Sequence, residues 1–277
     1  MNDPISPLVG PGSQPGEEDG AALDYLQMPS GMMTFSTPNL PESEEAEGLE
    51  AGMAALENVL AITRDTGIGS VDLTGLDESN RAFVNQVLGE GEVSVIAGSA
   101  AQAQEAVLAG VWRVRETGHD GDVSRDYVEV GAFPARILAA AFDGAQQQVP
   151  IATSFGPNIF NAPPLLPEIN EYIPRVNGAA AAHVINLSLL PHTEEDLTYL
   201  NDVLGRGVLT ILSRGYGNCR ITATATGNVW WVQFYNSQDT MILNTIEITA
   251  VPEVACASPE DIADSAGRLD EILEIYR

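Results

Sequence analysis

The segment VDLTGLDESNRAFVNQVLGEGEVSVIAG (71–98) recurs in altered form as INLSLLPHTEEDLTYLNDVLGRGVLTILSR (185–214). This internal repeat constrains the fold more than any other feature of the chain. Val87-Leu88-Gly89-x-Gly91 falls on Val203-Leu204-Gly205-x-Gly207, an offset of 116. Trp112 of GVWRV falls on Trp230 of GNVWWV, an offset of 118, and YVEVGAFP (127–134) falls on TIEITAVP (245–252). The last match pairs Glu129 with Glu247 and Pro134 with Pro252. Offsets that drift only from 114 to 118 are those of two copies of one unit.

Each copy reads alike. A short apolar strand (71–73; 184–188) leads into a helix opened by Asp77 or Thr193 as N-cap, with Thr193 and Asp196 at capping-box spacing. Phe83, Val84, Val87 and Leu88 form the apolar stripe of one helix, and Leu197, Leu200, Val203 and Leu204 that of the other. Gly89 or Gly205 ends it. Alternating runs follow: EVSVIAG, EAVLAGVWRVRE and DYVEVGAFP, then VLTILSRG, CRITATATGNVWWVQFYN and MILNTIEITAVP. The expectation is an α+β fold of two homologous tandem units. Each would be a small antiparallel sheet covered by a helix, in β-α-β-β-β order, with a C-terminal helix capped by Ser258 and opened by Pro259.

The expected organisation has four parts. Residues 1–48 are an acidic, Pro/Gly-rich arm whose composition is that of a largely disordered segment. Its apolar side chains, from Leu23 to Phe35, suit an arm that docks on the body or on a partner. Residues 49–143 hold a helix (Leu49, Met53, Leu56, Leu60) and the first unit. Residues 144–182 are a Pro-rich joint with a short helix at LPEINEYI, and 183–277 hold the second unit and the C-terminal helix.

Charge narrows the function classes. Against 39 acids stand 12 bases, all Arg, for a net charge of −27. Such a surface disfavours nucleic acid and anionic membranes, and attracts a basic protein partner such as an Arg-rich targeting segment. No apolar run approaches the ~18 residues of a spanning helix, so stable membrane insertion is not expected. The start MNDPISPLVGPGSQPGEEDG lacks the basic and apolar regions of a signal peptide. Cys219 and Cys256 make neither a disulfide framework nor a CxxC pair, which fits the cytoplasm.

Chemical motifs are weak. Cys219, between Arg214 and Arg220, is the one nucleophile candidate and would need His192 as its base. It also suggests a metal or iron–sulfur carrier, although His119, His183, His192, Cys219 and Cys256 lack ligand spacing. GEGE (89–92), GRGV (205–208) and RGYG (214–217) follow helices or join strands, unlike a phosphate loop. No cofactor is implied and no catalytic residue stands out. Trp230 and Trp231 must point to opposite faces of their strand. An exposed Trp beside Arg214 and Tyr216 is the kind of anchor protein interfaces use. The candidate partner-binding residues are Glu90, Glu92, Arg214, Tyr216, Asn218, Cys219 and Trp231.

The phrases LVGPGSQPGEED, LDYLQMP, LGEGEVSV, VLAGVWRVR, SRGYGNCRI, NVWWVQFYNS and VPEVACASPEDIADSAGRL together resemble the hydrogenase expression/formation proteins of the HupH type, whose relatives are called HyaF and HoxQ. The resemblance implies a cytoplasmic accessory factor for maturation of [NiFe] uptake hydrogenase, not an enzyme. Its implied partners are a hydrogenase subunit, the small subunit with its twin-arginine leader favoured, and other maturation factors.

Overall fold

The computed structural model describes residues 48–65, 67–118, 120–176, 181–215 and 217–277. The expected arm up to residue 47, His119 and Tyr216 lie outside them. The elements are α1 (Glu50–Asp65), β1 (Gly69–Asp72), α2 (Glu78–Leu88), β2 (Val93–Ala97), β3 (Ala101–Glu105), β4 (Val111–Thr117), β5 (Val123–Val130) and α3 (Ala135–Ala140). After them come α4 (Leu165–Tyr172), β6 (His183–Asn186), α5 (Glu194–Leu204), β7 (Leu209–Ser213), β8 (Asn218–Ala223), β9 (Val229–Tyr235), β10 (Met241–Ile248) and α6 (Pro259–Glu274).

The fold class is α+β, but the strands do not form two small sheets. They join in one ten-stranded antiparallel sheet of order β1-β5-β4-β3-β2-β7-β8-β9-β10-β6. Strand β2 pairs with β7, from Val93 opposite Ser213 to Ala97 opposite Leu209. That pairing removes two edges that would otherwise stand open. Read outward from this seam, the two halves have the same strand order. Each half holds five strands, not the expected four: AQAQE became β3, and CRITATATGNVWWVQFYN split into β8 and β9 at a turn where Asn228 takes φ 60°.

Helix ends follow local chemistry. The Asp77 carboxylate accepts from the Asn80 N–H, and Thr193 and Asp196 form a capping box. Gly89 and Gly205 take φ of 58° and 65° at the other end. Two residues on, a Cβ on Gly91 would run into the Ala106 carbonyl and one on Gly207 would lie 2.7 Å from that of Thr224. These close approaches require the second glycine of each G-x-G.

Three cores result. On one face of the sheet, α1, α2 and α6 bury Leu56, Val84, Leu88, Val111, Val128 and Leu269 over the β1-β5-β4 end. On the same face, α4 and α5 bury Leu166, Ile169, Leu200, Leu204, Val229 and Ile246 over the β9-β10-β6 end. The opposite face is covered across its middle by residues 133–142 and 251–256, which bury Val95, Trp112, Val114, Ile211, Ile221, Trp230 and Val232. Phe133 lies edge-on to Trp112 (ring centroids 5.5 Å apart) and Phe142 edge-on to Trp230 (5.0 Å), so one short segment seals both halves.

Candidate functional site

Neither helical core contains a residue of β2, β3, β7 or β8. The helix-bearing face of these four strands is therefore a strip, ~14 Å from first strand to last, between the two helical layers. Alternation along the strands puts Ser94 and Ile96 of β2, Gln102 and Gln104 of β3, Thr210 and Leu212 of β7, and Arg220 and Thr222 of β8 on it. Ile96 is 39% exposed, a large apolar side chain in the middle of a sheet. The polar members cross-link: Ser94 Oγ donates to Gln104 Oε1 at 2.5 Å, and Gln104 Nε2 donates to the Gly91 and Val93 carbonyls at 3.1 and 3.2 Å. The strip is a preformed floor of hydrogen-bonding side chains with one exposed apolar point, Ile96; Leu212 beside it is buried.

Several expected contact residues gather at one end of it. The Arg214 N–H donates to the Glu92 carbonyl at 3.1 Å and extends the β2–β7 ladder by one residue. The Glu92 carboxylate lies against Gly215, where a Cβ would collide with it. Asn218 opens β8 opposite Tyr235 of β9, whose ring lies 5.9 Å from the Arg220 guanidinium. Glu90 is exposed in the link from α2 to β2, just before Gly91. Trp231 stands farther along β9, opposite Thr222. It is half-buried against the α4–α5 core, and its indole N–H donates to Asn244 Oδ1 at 2.5 Å.

Cys219 is the exception. It is 3% exposed on the opposite face, with Ile221 and Ala223. Burial, and then the nearby Glu247 carboxylate, push its thiol up to about 12. Almost none of it is thiolate near neutral pH, which suits neither a nucleophile nor a soft metal ligand. His192 does not face it; its Nδ1 lies 3.3 Å from the Leu187 carbonyl. Among the described residues no group of three or more His, Cys, Asp or Glu is placed to hold a metal ion. No described helix is long and apolar enough to cross a membrane.

The sheet also sorts charge by face, which sequence reasoning missed. Arg113, Arg115 and Arg220 lie on the helix-bearing side, with Asp126 as the one strand carboxylate there. Asp72, Glu105, Glu116, Glu129 and Glu247 lie on the other, with Arg125 as the one strand Arg among them. Burial raises Glu105 to about 7 and raises Glu129 and Glu247 as well. Arg113 is 9% exposed; its Nη1 pairs with Asp126 Oδ1 and its Nε donates to Asn85 Oδ1 of α2 at 2.8 Å. Period-two reading of VWRVRE and CRITA was the available signal.

A family model described as HupH hydrogenase expression protein, C-terminal conserved region, matches residues 51–151 and 159–276. The chain belongs to this family. Its relatives include the hydrogenase expression/formation protein HupH of Rhodobacter capsulatus, 48% identical over 97% of this chain and 96% of that protein. HoxQ of Cupriavidus necator is 46% identical over 96% and 95%. The hydrogenase-1 operon protein HyaF of Escherichia coli is 32% identical over 99% and 97%. A solved structure, hydrogenase expression protein HupH from Thiobacillus denitrificans, is 33% identical, covers 40% of this chain and 92% of that one, and has a TM-score of 0.38. The two segments matched by the HupH model each contain one five-strand half, and the gap between them falls in the loop before α4.

Proposed function

We propose that this chain is a non-catalytic accessory chaperone in the maturation of [NiFe] uptake hydrogenase. It holds a hydrogenase subunit in the cytoplasm before export, the small subunit in preference, together with other maturation factors. The names of its full-length relatives support the maturation role. The observation that carries the binding role is the central strip, which neither helical core covers among the described residues and where Ile96 and a row of Gln, Ser, Thr and Arg side chains stand where a core would otherwise be. Such a floor takes an extended or helical segment by apolar contact at Ile96 and by side-chain hydrogen bonds around it. Glu90, Glu92, Arg214 and Asn218 supply its rim at one end and Trp231 its flank; Tyr216 joins them as a contact by its side-chain type alone. Cys219 contributes packing behind the sheet. The overall charge of −27 draws a basic leader at long range; the strip, with its own Arg side chains, receives a polar or acidic part of the partner.

In the same reading, the two halves arose from one duplicated unit. Their common strand order and the two segments matched by one family model support this.

The test is affinity capture of the tagged full chain from hydrogenase-producing cells, with each hydrogenase subunit followed by name and its leader deleted in turn. Ile96→Glu, Arg214→Ala and Tyr216→Ala variants are expected to keep the far-ultraviolet circular dichroism and melting temperature of the parent and to lose the small subunit. If all three capture it normally, the strip is not the binding surface. If no hydrogenase subunit is retained by the parent chain, the chaperone reading fails.

A further inference from the structure

The two outer strands of the sheet, β1 and β6, are each four residues long and, among the described residues, pair on one side only. They hold corresponding places: Ser70 lies opposite Glu129 as Val184 lies opposite Glu247. The Asn244 N–H turns to the Ser188 hydroxyl at 2.8 Å, on the β6 side. By alternation Ile246 and Ile248 turn their main-chain groups to Ile185 and His183. The N–H and C=O of Val184 and the N–H of Asn186 then point outward. In β1 the Leu73 N–H turns inward to the Asp126 carbonyl, and Ser70 and Asp72 are the outward pair. Outward groups of this kind are a template for a further strand.

The two free edges are dressed differently. On the face away from the helices β1 presents Ser70 and the exposed Asp72, and a charge on an edge opposes the addition of a strand. Ile68 and Val123 are exposed near it, but neither lies on β1. On the same face β6 presents the half-exposed Val184 and the uncharged Asn186, with Leu189 and Ile242 exposed at the corner beyond. Its one titratable residue, His183, is held on the helix side: its ring stacks on Tyr172 (centroids 3.4 Å apart) and its Nε2 lies 2.7 Å from Glu168 Oε1. The second half leaves open the edge that the first half closes. Charge around that edge points to its occupant. Glu168 stands at the start of β6, and the exposed Glu194 and Glu195 stand past its far end, just after His192, whose Nδ1 lies 3.3 Å from the Leu187 carbonyl. The nearby Arg175 is taken up by Glu171 at 2.5 Å.

We propose that β6 takes an extended segment of a partner polypeptide as an eleventh strand, apolar at alternate positions and flanked by Arg or Lys. Main-chain hydrogen bonds to Val184 and Asn186 hold it. Val184, Leu189 and Ile242 receive its apolar side chains, and the carboxylates at the two ends of β6 receive its basic flanks. This surface is three strand spacings, ~14 Å, from β8 at the border of the central strip. The inference stands whether or not the partner is a hydrogenase subunit.

The experiment titrates the isotope-labelled full chain with a short synthetic peptide in which Val and Thr alternate between paired Arg residues. The amide signals of Val184, Asn186, Leu189 and Ile242 are expected to shift while those of Ser70 and Asp72 stay. Hydrogen exchange at Val184 and Asn186 should slow about tenfold or more at saturation. Val184→Pro removes one outward donor and leaves the β6–β10 ladder intact. It should weaken binding about tenfold, as should Leu189→Ser combined with Ile242→Ser, or Glu in place of the peptide's Arg. The proposal is overturned by no shift at about 1 mM peptide, by shifts at Ser94 and Thr222 instead, or by equal affinity for the Glu-flanked peptide or for both variants. Exchange at Val184 and Asn186 as slow in the free chain as at Val232 would show an edge already paired, and overturns it too. So do the same shifts obtained by concentrating the chain alone, which would place a second copy there.

Discussion

Trp112 and Trp230 occupy corresponding places in the two halves of the sheet, and each donates its indole N–H to a carbonyl 19 residues on: Gly131 at 2.9 Å and Thr249 at 3.0 Å. The correspondence extends to the turns. Asp72 Oδ1 accepts from the Thr74 N–H and Asn186 Oδ1 from the Ser188 N–H, while the Thr74 and Ser188 hydroxyls accept from the Asp126 and Asn244 N–H groups. On this shared frame the fillings differ. Under α2 the first half buries the Arg113–Asp126 ion pair; the second places the Trp231 indole against Asn244 at the same two positions. Glu105 in the first half stands where the second has Ala223, since their carbonyls accept from Gly91 and Gly207 alike. The caps, the glycines and the two buried indoles build the frame. The positions that differ are those the frame leaves free, and they bear on the helix-bearing face.

The largest expected consequence is in the two polar pairs. Arg113→Ala leaves the buried Asp126 only the half-exposed Arg115, 3.7 Å away, and should cost about 3 kcal/mol, the lower end of the range for breaking a buried ion pair. Asn244→Ala removes one neutral hydrogen bond to a half-buried indole and should cost about 1 kcal/mol. Urea unfolding of both variants checks this directly. Equal losses would mean that the two pairs do the same job and that the difference between the halves is cosmetic.

Glu105 gives the next effect. Its carboxyl is 8% exposed, accepts from the Gly110 N–H at 3.1 Å, and is held near 7, mainly by burial. The folded state therefore retains a proton that the unfolded chain releases near 4.5. Stability is full below that value, falls as pH rises towards 7, and is flat above it; the loss is about 3 kcal/mol. Glu105→Gln keeps an acceptor for Gly110 without the charge. It should match the parent at pH 4 and exceed it by about 3 kcal/mol at pH 8. A parent whose stability does not fall between these limits would show that Glu105 is more solvated than its setting implies.

How much of this the sequence could reveal follows range. The caps Asp77, Thr193 and Ser258, the helix-ending Gly89 and Gly205, and the stripe of α2 depend on residues within a turn or two, and were legible. So was the opposition of Trp230 and Trp231. Strand β3 was not, because AQAQE alternates Ala with Gln and offers little apolar contrast. The β2–β7 seam is a contact between residues more than 100 positions apart, and no periodicity specifies which edges meet. Net charge misled in the same way: −27 describes the whole surface, whereas the pleat collects three of the four strand Arg residues on one face and every strand Glu on the other. Cys219 attracted attention through its neighbours Arg214 and Arg220, yet alternation with Ile221 and Ala223 already places it on the apolar side.

The smallest effect tests whether the frame needs what the second half adds. Leu189 and Ile242 are 80% and 62% exposed at one corner of the sheet. Their counterparts are Gly75, one residue past the Thr74 turn, and Ser124, at the same irregularity in the β4–β5 pairing that Ile242 occupies between β9 and β10. A Gly and a Ser complete the same turn and the same bulge in the first half. Leu189→Ser and Ile242→Ser should therefore each change stability by no more than about 0.5 kcal/mol, as expected for exposed sites away from caps and cores. Thermal unfolding would detect more, and a loss of 2 kcal/mol or greater would mean (on the ~2–5 kcal/mol scale of buried large-to-small changes) that these side chains pack against something in the free protein.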